Sequence, residues 1–321
     1  TPIPEGKRKS MDIYVYNLDG VYGITMPGTY YGMTSKKQRR ASCSISIDNT
    51  YSSSKGFKDT RDNCMKVTAA HEFFHAVQYA YNVDADSWWK EASATWNEDE
   101  VFGNINDYIR YLDRVFSNPE KPLEKSSYGG VIFAKYLSEH VGGYNTIKRI
   151  WEVQGLNYDT SIKAIDSALQ QNYKTDLGTV FKNYAASNFN PPQYYKEGSL
   201  WRQSAAVQNN FTSYPVDSRN GSLNHLSSNY QLFKPIPSQG SHTLRINVDT
   251  SSNEVLSFKV QRRNAVDGLC SMTEIDTDSK AGNSKIDIEG FGTDYKEVCL
   301  IASSLKKSYS SHEYNYSAQI I

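Results

Sequence analysis

Ala69-Ala70-His71-Glu72-Phe73-Phe74-His75-Ala76-Val77-Gln78 is the stretch from which the rest of the chain is read. Two histidines four apart on a helix lie on one face, one turn above each other. Their imidazoles can converge on a single zinc ion. Glu72 then projects beside the metal, where a carboxylate can take a proton from a zinc-bound water. The flanks are helical in pattern: Val67, Ala70, Phe74, Val77 and Tyr81 give an apolar stripe over about Cys64 to Tyr81, and Asp62-Asn63 is a candidate cap.

Working outward, the N-terminal side reads as strands. Ile13-Tyr14-Val15-Tyr16 is β-prone, and Ser42-Cys43-Ser44-Ile45-Ser46-Ile47-Asp48 alternates. Gly20, Gly23, Gly28 and Gly32 punctuate the stretch between them. On the C-terminal side helices are predicted over Trp88–Val101, Asn106–Phe116, Ser127–His140, Asn145–Val153, Thr160–Gln170 and Asp176–Ala185. Asn190-Pro191-Pro192 reads as an extended break, because Pro-Pro cannot continue a helix. Beyond it the period becomes two: Leu244, Ile246 and Val248 alternate, as do Leu256, Phe258 and Val260, and Val298, Leu300 and Ala302. The fold class expected is α+β. A mainly helical domain with a small N-terminal β-sheet spans 1–190, and an all-β sandwich spans 191–321.

The chain has 321 residues and a net charge of zero, 35 basic against 35 acidic, with no basic block. That argues against nucleic acid or an anionic membrane as the main partner. No stretch has the length of apolar residues needed for a membrane span. The sequence starts at Thr1 without an apolar signal region and reads as a mature or trimmed product. Cys43, Cys64, Cys270 and Cys299 allow three pairings. The simplest is Cys43–Cys64 with Cys270–Cys299, which places the protein outside the cell; the alternative is four buried thiols. The many tyrosines and the Ser- and Asn-rich loops point the same way by association.

A catalytic zinc usually takes three protein ligands and leaves one position open. A third histidine soon after the motif is absent, since the next is His140. Asp84, Asp86, Glu91, Glu98, Asp99 and Glu100 are the acidic candidates. Glu91 is favoured, because a helix returning antiparallel after a turn at Asn82–Asp86 would present it to the metal. Small residues at 92–94 would let the helices approach closely. Glu98, two turns on, is either a carboxylate that orients a metal-binding histidine or a surface acid.

His71-Glu72-x-x-His75 followed by Trp88-x-x-Glu91-x-x-Ala94-x-x-x-Glu98 resembles the gluzincins, zinc peptidases whose third ligand is a glutamate. The resemblance covers about residues 65–140. It implies His71, His75 and Glu91 as zinc ligands and Glu72 as general base. It departs from the aminopeptidase branch in the interval of fifteen residues between His75 and Glu91, and in the Ala that follows Glu91. Ser126-Ser127-Tyr128-Gly129-Gly130 resembles the helix start that carries the transition-state tyrosine of that branch. It implies Tyr128 as the hydroxyl stabilising the oxyanion, with His140 the alternative donor.

The function expected is a zinc-dependent metalloendopeptidase acting on protein or peptide. An aminopeptidase of this clan would carry a Gly-x-Met-Glu-Asn strand upstream, and Gly23-Ile24-Thr25-Met26-Pro27-Gly28 lacks its carboxylate. The alternatives are a zinc aminopeptidase, or a binding or adhesive protein with a degenerate peptidase domain. Ser42–Asp48 is a candidate edge strand for pairing with an extended substrate. Asp276, Asp278, Asp287 and Glu289 are the only acids suggesting calcium, and their spacing fits no known loop. Asn210, Asn220 and Asn315 fit the glycosylation acceptor pattern.

Overall fold

Thr60, not the Asp62-Asn63 pair, starts the helix that carries the two histidines. Its side chain accepts the Asn63 N–H at 3.3 Å, and α1 runs Arg61–Tyr81. Asp62 falls within the first turn, where the helix dipole favours an acid. The computed structural model describes residues 2–4, 10–32, 39–157, 160–236, 240–250, 255–275 and 283–321. The chain is a mixture of helices and strands, divided into two compact units: Thr1–Asp113 with Glu124–Asp176, and Arg114–Leu123 with Leu177–Ile321. The second unit thus begins at α7 (Leu177–Ser187), earlier than the break at 190, and also takes in a short upstream piece.

In the first unit, α2 (Ser87–Val101) returns antiparallel to α1. Gln78 reaches Lys90 and Ser93 near one end of the pair, and Asn97 reaches the Ala70 carbonyl near the other. The reversal uses Asn82, whose side chain accepts the Asp84 N–H at 2.9 Å and donates to the Gln154 carbonyl at 3.2 Å. Of the small residues expected to pack on α1, Ala92 faces Gly130 instead. A Cβ on Gly130 would sit 2.8 Å from the Ala92 Cβ, so only glycine permits this approach.

Three strands form a sheet, β1 (Ile13–Tyr16), β2 (Gly23–Tyr31) and β3 (Arg40–Asp48), in the order β1-β3-β2, and β2 and β3 lie against α1. β1 runs parallel to β3 and β2 antiparallel, with Ile13 and Thr25 both opposite Ile45. Cys43 and Ile45 of β3 pack on Ala76 of α1. The glycine-punctuated stretch between the two expected strands is itself a strand, β2. Pro27 is tolerated there because β2 is an edge strand, and the register shifts between Pro27 and Tyr30. β3, the expected edge strand, is paired on both sides and offers no free edge.

The expected helix over 106–116 is a 3₁₀ turn, Asp107–Tyr111, followed by α3 (Leu112–Phe116). The one over 127–140 is likewise divided into a 3₁₀ turn, Ser127–Gly130, then α4 (Val131–Leu137) and a wider turn, Ser138–Gly142. Ser127 sits at φ 49°, which marks the break in helical geometry. Next come α5 (Tyr144–Asn157) and α6 (Ser161–Tyr173).

In the second unit, Pro191-Pro192 opens the short α8 (Pro191–Tyr194) and does not form an extended link; proline suits the first turn, where its missing N–H has no helical partner. Nine strands follow: β4 (Asn209–Phe211), β5 (Val216–Asn224), β6 (Ser228–Phe233), β7 (His242–Asp249), β8 (Leu256–Asn264), β9 (Cys270–Ile275), β10 (Asn283–Phe291), β11 (Tyr295–Ser304) and β12 (Ser311–Ile320). Hydrogen bonding runs β4-β6-β11-β8-β9 through one layer and β10-β7-β12-β5 through the other, joined where Phe291 pairs with Tyr295. The alternating residues read from the sequence close one core between the layers, with Leu244, Ile246, Val248, Phe258, Val260 and Leu300 fully enclosed. The C-terminal carbonyls of α7 are taken by this sheet: Tyr230 Oη donates to Ala185 O at 2.6 Å and Gln261 Nε2 to Ala186 O at 2.7 Å.

The expected disulfides do not form: all four cysteines are free, buried thiols. Cys43 packs by Ala76, whereas Cys64 packs with Tyr51 and Phe57 at the far end of α1. Twelve residues of helix separate Cys64 from Ala76, about 18 Å, against the ~7 Å that a disulfide spans between Cα atoms. Cys270 on β9 and Cys299 on β11 have β8 between them, which sets their strands about 9.6 Å apart. Among the described residues no helix is long and apolar enough to cross a membrane.

Candidate metal centre

Antiparallel pairing of α1 and α2 brings the sequence-predicted ligands together. His71, His75 and Glu91 each offer one ligand atom, and these atoms lie within 4.8 Å of one another. Glu91 Oε2 is 3.2 Å from His71 Nε2 and 3.6 Å from His75 Nε2. Two ligands of a tetrahedral zinc are separated by about 3.3 Å, given ~2.0–2.1 Å bonds. Two imidazole nitrogens and one carboxylate oxygen at such spacing suit zinc, and this is the one such group among the described residues.

Each histidine is held from behind. His71 Nδ1 lies 2.6 Å from Glu98 Oε1, and His75 Nδ1 lies 2.7 Å from Gln78 Oε1. Gln78 in turn donates to Lys90 O at 2.9 Å and to Ser93 Oγ at 3.1 Å. Both imidazoles therefore turn Nε2 toward Glu91, whichever way solvent pulls them. Glu98 resolves as a buried histidine partner and not a surface acid. Gln78 was not singled out from the sequence, although a side chain three residues on is a helix-face neighbour.

The electrostatics follow from this enclosure. Burial opposes a charge on His71, but its hydrogen bonds to Glu91 and Glu98 outweigh that and push its pKa up to about 10. Burial also acts to raise Glu91, yet His71 and His75 hold its carboxyl well below the usual range. Burial pushes Glu98 upward, against the pull of His71.

Glu72 is buried beside the histidines and fixed by β2. Thr25 Oγ1 lies 2.7 Å from Glu72 Oε2 and 2.9 Å from the Glu72 carbonyl. At Gly23 a Cβ would meet Glu72 Cγ at 2.7 Å and Oε1 at 3.0 Å, so the strand and the carboxylate touch directly. The sequence alone does not single out either residue for the site, because their strand comes beside Glu72 only through pairing with β3.

Tyr128 stacks on the His71 ring at 5.8 Å and 23°. Burial, then the adjacent Glu91 carboxylate, raise its pKa, so the hydroxyl keeps its proton and stays a donor. His140 lies outside the cleft, tilted against Tyr136 at 4.7 Å. Gly23, His71, Glu72, Glu98, Arg110 and Tyr128 are among the residues lining a cleft of about 510 Å³, counted to its open mouth. Of the acids considered for calcium, Asp287 pairs with Arg245 at 2.6 Å, and Asp276 and Asp278 lie outside the described residues.

No protein-family model matches this chain, and no curated protein sequence does. Solved structures give faint likenesses. The pre-peptidase C-terminal domain of collagenase from Bacillus anthracis is 8% identical over 36% of this chain and 100% of that one, with a TM-score of 0.28. Aeromonas hydrophila PliG, a periplasmic inhibitor of g-type lysozyme, is 11% identical over 36% and 97%, with a TM-score of 0.27. The CBM22-1 xylan-binding domain of Paenibacillus barcinonensis Xyn10C is 11% identical over 36% and 98%, with a TM-score of 0.21. At these scores the likenesses say nothing of activity.

Proposed function

We propose that the chain is a zinc-dependent metalloendopeptidase of the gluzincin kind, built as a helical catalytic domain with a small sheet and followed by a β-sandwich. The observation that carries this reading is the convergence of His71 Nε2, His75 Nε2 and Glu91 Oε2 next to the buried Glu72 carboxylate. His71, His75 and Glu91 would hold the zinc. When bound, it supplies Lewis acidity and lowers the pKa of a coordinated water to about 7.

Glu72 takes the proton of the attacking water and returns it to the leaving amine. Thr25 donates to Oε2, which leaves Oε1 to accept that proton. The protonated Tyr128 hydroxyl donates to the carbonyl oxygen as charge builds on it. β2 supports the reading further: among the described residues it pairs with β3 alone, which leaves one edge without a strand, and it touches Glu72. An extended peptide pairing on that edge would lie along the cleft. This role falls to β2 and not to Ser42–Asp48. The absence of an amine-binding carboxylate in Gly23–Gly28 favours cutting within chains over trimming their ends.

The test is metal analysis and proteolysis of an unfolded protein substrate by wild type and Glu72→Gln. About one zinc per chain is expected in both, with activity in the wild type alone. Full activity in Glu72→Gln would remove the mechanism, and no bound metal in either would remove the site. N-terminally blocked peptides should be cut as readily as free ones; protection by blocking would indicate an aminopeptidase.

A further inference from the structure

A run of stacked planar groups leads from His71 along the cleft. The His71 ring lies 5.8 Å from that of Tyr128, which lies 4.9 Å from Tyr111, both at interplanar angles near 20°. The Arg110 guanidinium follows, 4.6 Å from the Tyr111 ring and 4.5 Å from Tyr22. Two aromatic rings thus pack against it. Its edges are held too: Nη1 donates to Tyr22 Oη at 3.0 Å, and Nη2 donates to Tyr111 Oη at 2.6 Å and pairs with Asp107 at 2.9 Å.

A guanidinium carries five N–H donors in a planar fork suited to carboxylates. Those on Nε and the second on Nη1 make no bond among the described residues. The Arg110 side chain is 30% exposed, whereas that of Asp107 is 5% exposed and cannot swing away. Arg110 is also the one lysine or arginine among the cleft-lining residues, beside Glu72, Glu98 and Asp107. Elsewhere such a lining repels an anion. A fixed cation with unspent donors, its ordering already done by two rings, marks the place where an anion is accepted.

We propose that Arg110 is a carboxylate-binding subsite that makes the enzyme select substrates bearing an acidic group near the cut bond. This rests on the peptidase reading above. Three ring steps from His71 set the reach at no more than about five extended residues. The carboxylate comes from a Glu or Asp side chain or from the substrate's C-terminus.

Two series of N-acetylated fluorogenic peptides around one cleavable core separate these sources. In the first, Glu is compared with Gln at each of about five positions on either side of the bond. In the second, a free C-terminal acid is compared with its amide. The zinc-loaded wild type is expected to favour one acidic peptide over its neutral twin by about tenfold or more in kcat/KM. The position of that peptide identifies the source.

In Asp107→Asn/Arg110→Gln, which leaves no unpaired buried acid, the preference should fall to about one. Arg110→Lys keeps the charge without the fork, and should retain part of it. Because the readout is a ratio, a partly unfolded variant does not imitate the result. The same peptide pairs are titrated into Glu72→Gln by fluorescence anisotropy, which reads binding without turnover. Equal cleavage and equal binding of acidic and neutral peptides by the wild-type cleft overturn the subsite. So does a preference that survives in the double variant. If the zinc-loaded wild type cuts no peptide, the peptidase reading falls, and the anisotropy ratio still decides whether Arg110 binds carboxylates.

Discussion

Thr25 and Glu72 are 47 residues apart in sequence, and the single proton of the Thr25 hydroxyl is shared between two Glu72 acceptors, the carboxylate at 2.7 Å and the carbonyl at 2.9 Å. The edge strand thereby fixes both the side-chain rotamer of the proposed base and the turn of α1 that bears it. Replacing the hydroxyl by a methyl in Thr25→Val should lower kcat by about tenfold or more, the effect of one charge-assisted hydrogen bond. KM and zinc content should hardly change, and Thr25→Ser should restore kcat. Equal kcat values for the Val and Ser variants would show that the hydroxyl is not what positions Glu72.

Gly23 is the neighbouring contact on the same face of β2. A methyl there would sit 2.6 Å from Thr68 Cγ2 and 2.7 Å from Glu72 Cγ, so one of them must move. Gly23→Ala should lose most peptide cleavage and about 1–3 kcal/mol of stability while still binding zinc. Urea unfolding and metal analysis on one preparation check both halves.

The proton held by His71 gives a pH dependence with a definite sign. Its pKa in the folded, metal-free protein is raised to about 10 from an ordinary value of 6.5. The stability this contributes is complete below about pH 6.5 and is lost as pH rises through about 10. Zinc must displace that proton, so its apparent affinity should climb with pH across the same interval. Glu98→Gln should weaken zinc binding by about 10–100-fold and flatten the climb. Chelator competition at several pH values measures both, and an unchanged slope would count against the coupling.

Tyr128→Phe retains the ring that stacks on His71 and removes only the donor. A loss of about 100-fold in kcat at constant zinc content is expected if the hydroxyl meets the oxyanion. A kcat within twofold of wild type would leave Tyr128 a packing residue.

Asp48, at the end of β3, offers a control remote from the metal chemistry. Burial acts to raise its pKa, but the backbone N–H groups of Tyr51, Thr50 and Leu18 outweigh it and hold the carboxyl well below its ordinary range. That stability is present above about pH 4 and is lost as pH falls further. Asp48→Asn should cost about 2 kcal/mol at neutral pH and progressively less under acid, as read by thermal unfolding.

The site was legible where its logic is local. His71, Glu72 and His75 are set by the spacing of one helix, and Glu91 by the reversal at Asn82 that turns α2 back on α1. Glu98 was left open between two roles because the side chain it serves is 27 positions away. Thr25 and Gly23 were missed because a glycine-punctuated stretch carries a weak strand signal, and only pairing with β3 organises it. Arg110 looks like any surface arginine until Tyr22, 88 positions away in sequence, packs against it. The alternation is plain in β7, which buries one face, whereas β6, β8 and β11 are buried on both faces and alternate less cleanly. Pro191-Pro192 misled because proline forbids the middle of a helix but not its first turn.

The piece Arg114–Leu123 has a consequence for how this protein can be cut and recombined. Its backbone is built into the sandwich: Phe116 O accepts Ala206 N–H at 2.7 Å, Pro119 O accepts Ser228 N–H at 2.8 Å, and Leu123 N–H donates to Leu226 O at 3.0 Å. A fragment starting after Asn190 would leave three backbone groups of the sandwich without these partners and would strip α7 from the sheet. The sandwich is therefore not a cassette that gene fusion or truncation could add or remove at a single joint. Ten residues lent from within the helical half make its exchange a two-cut operation.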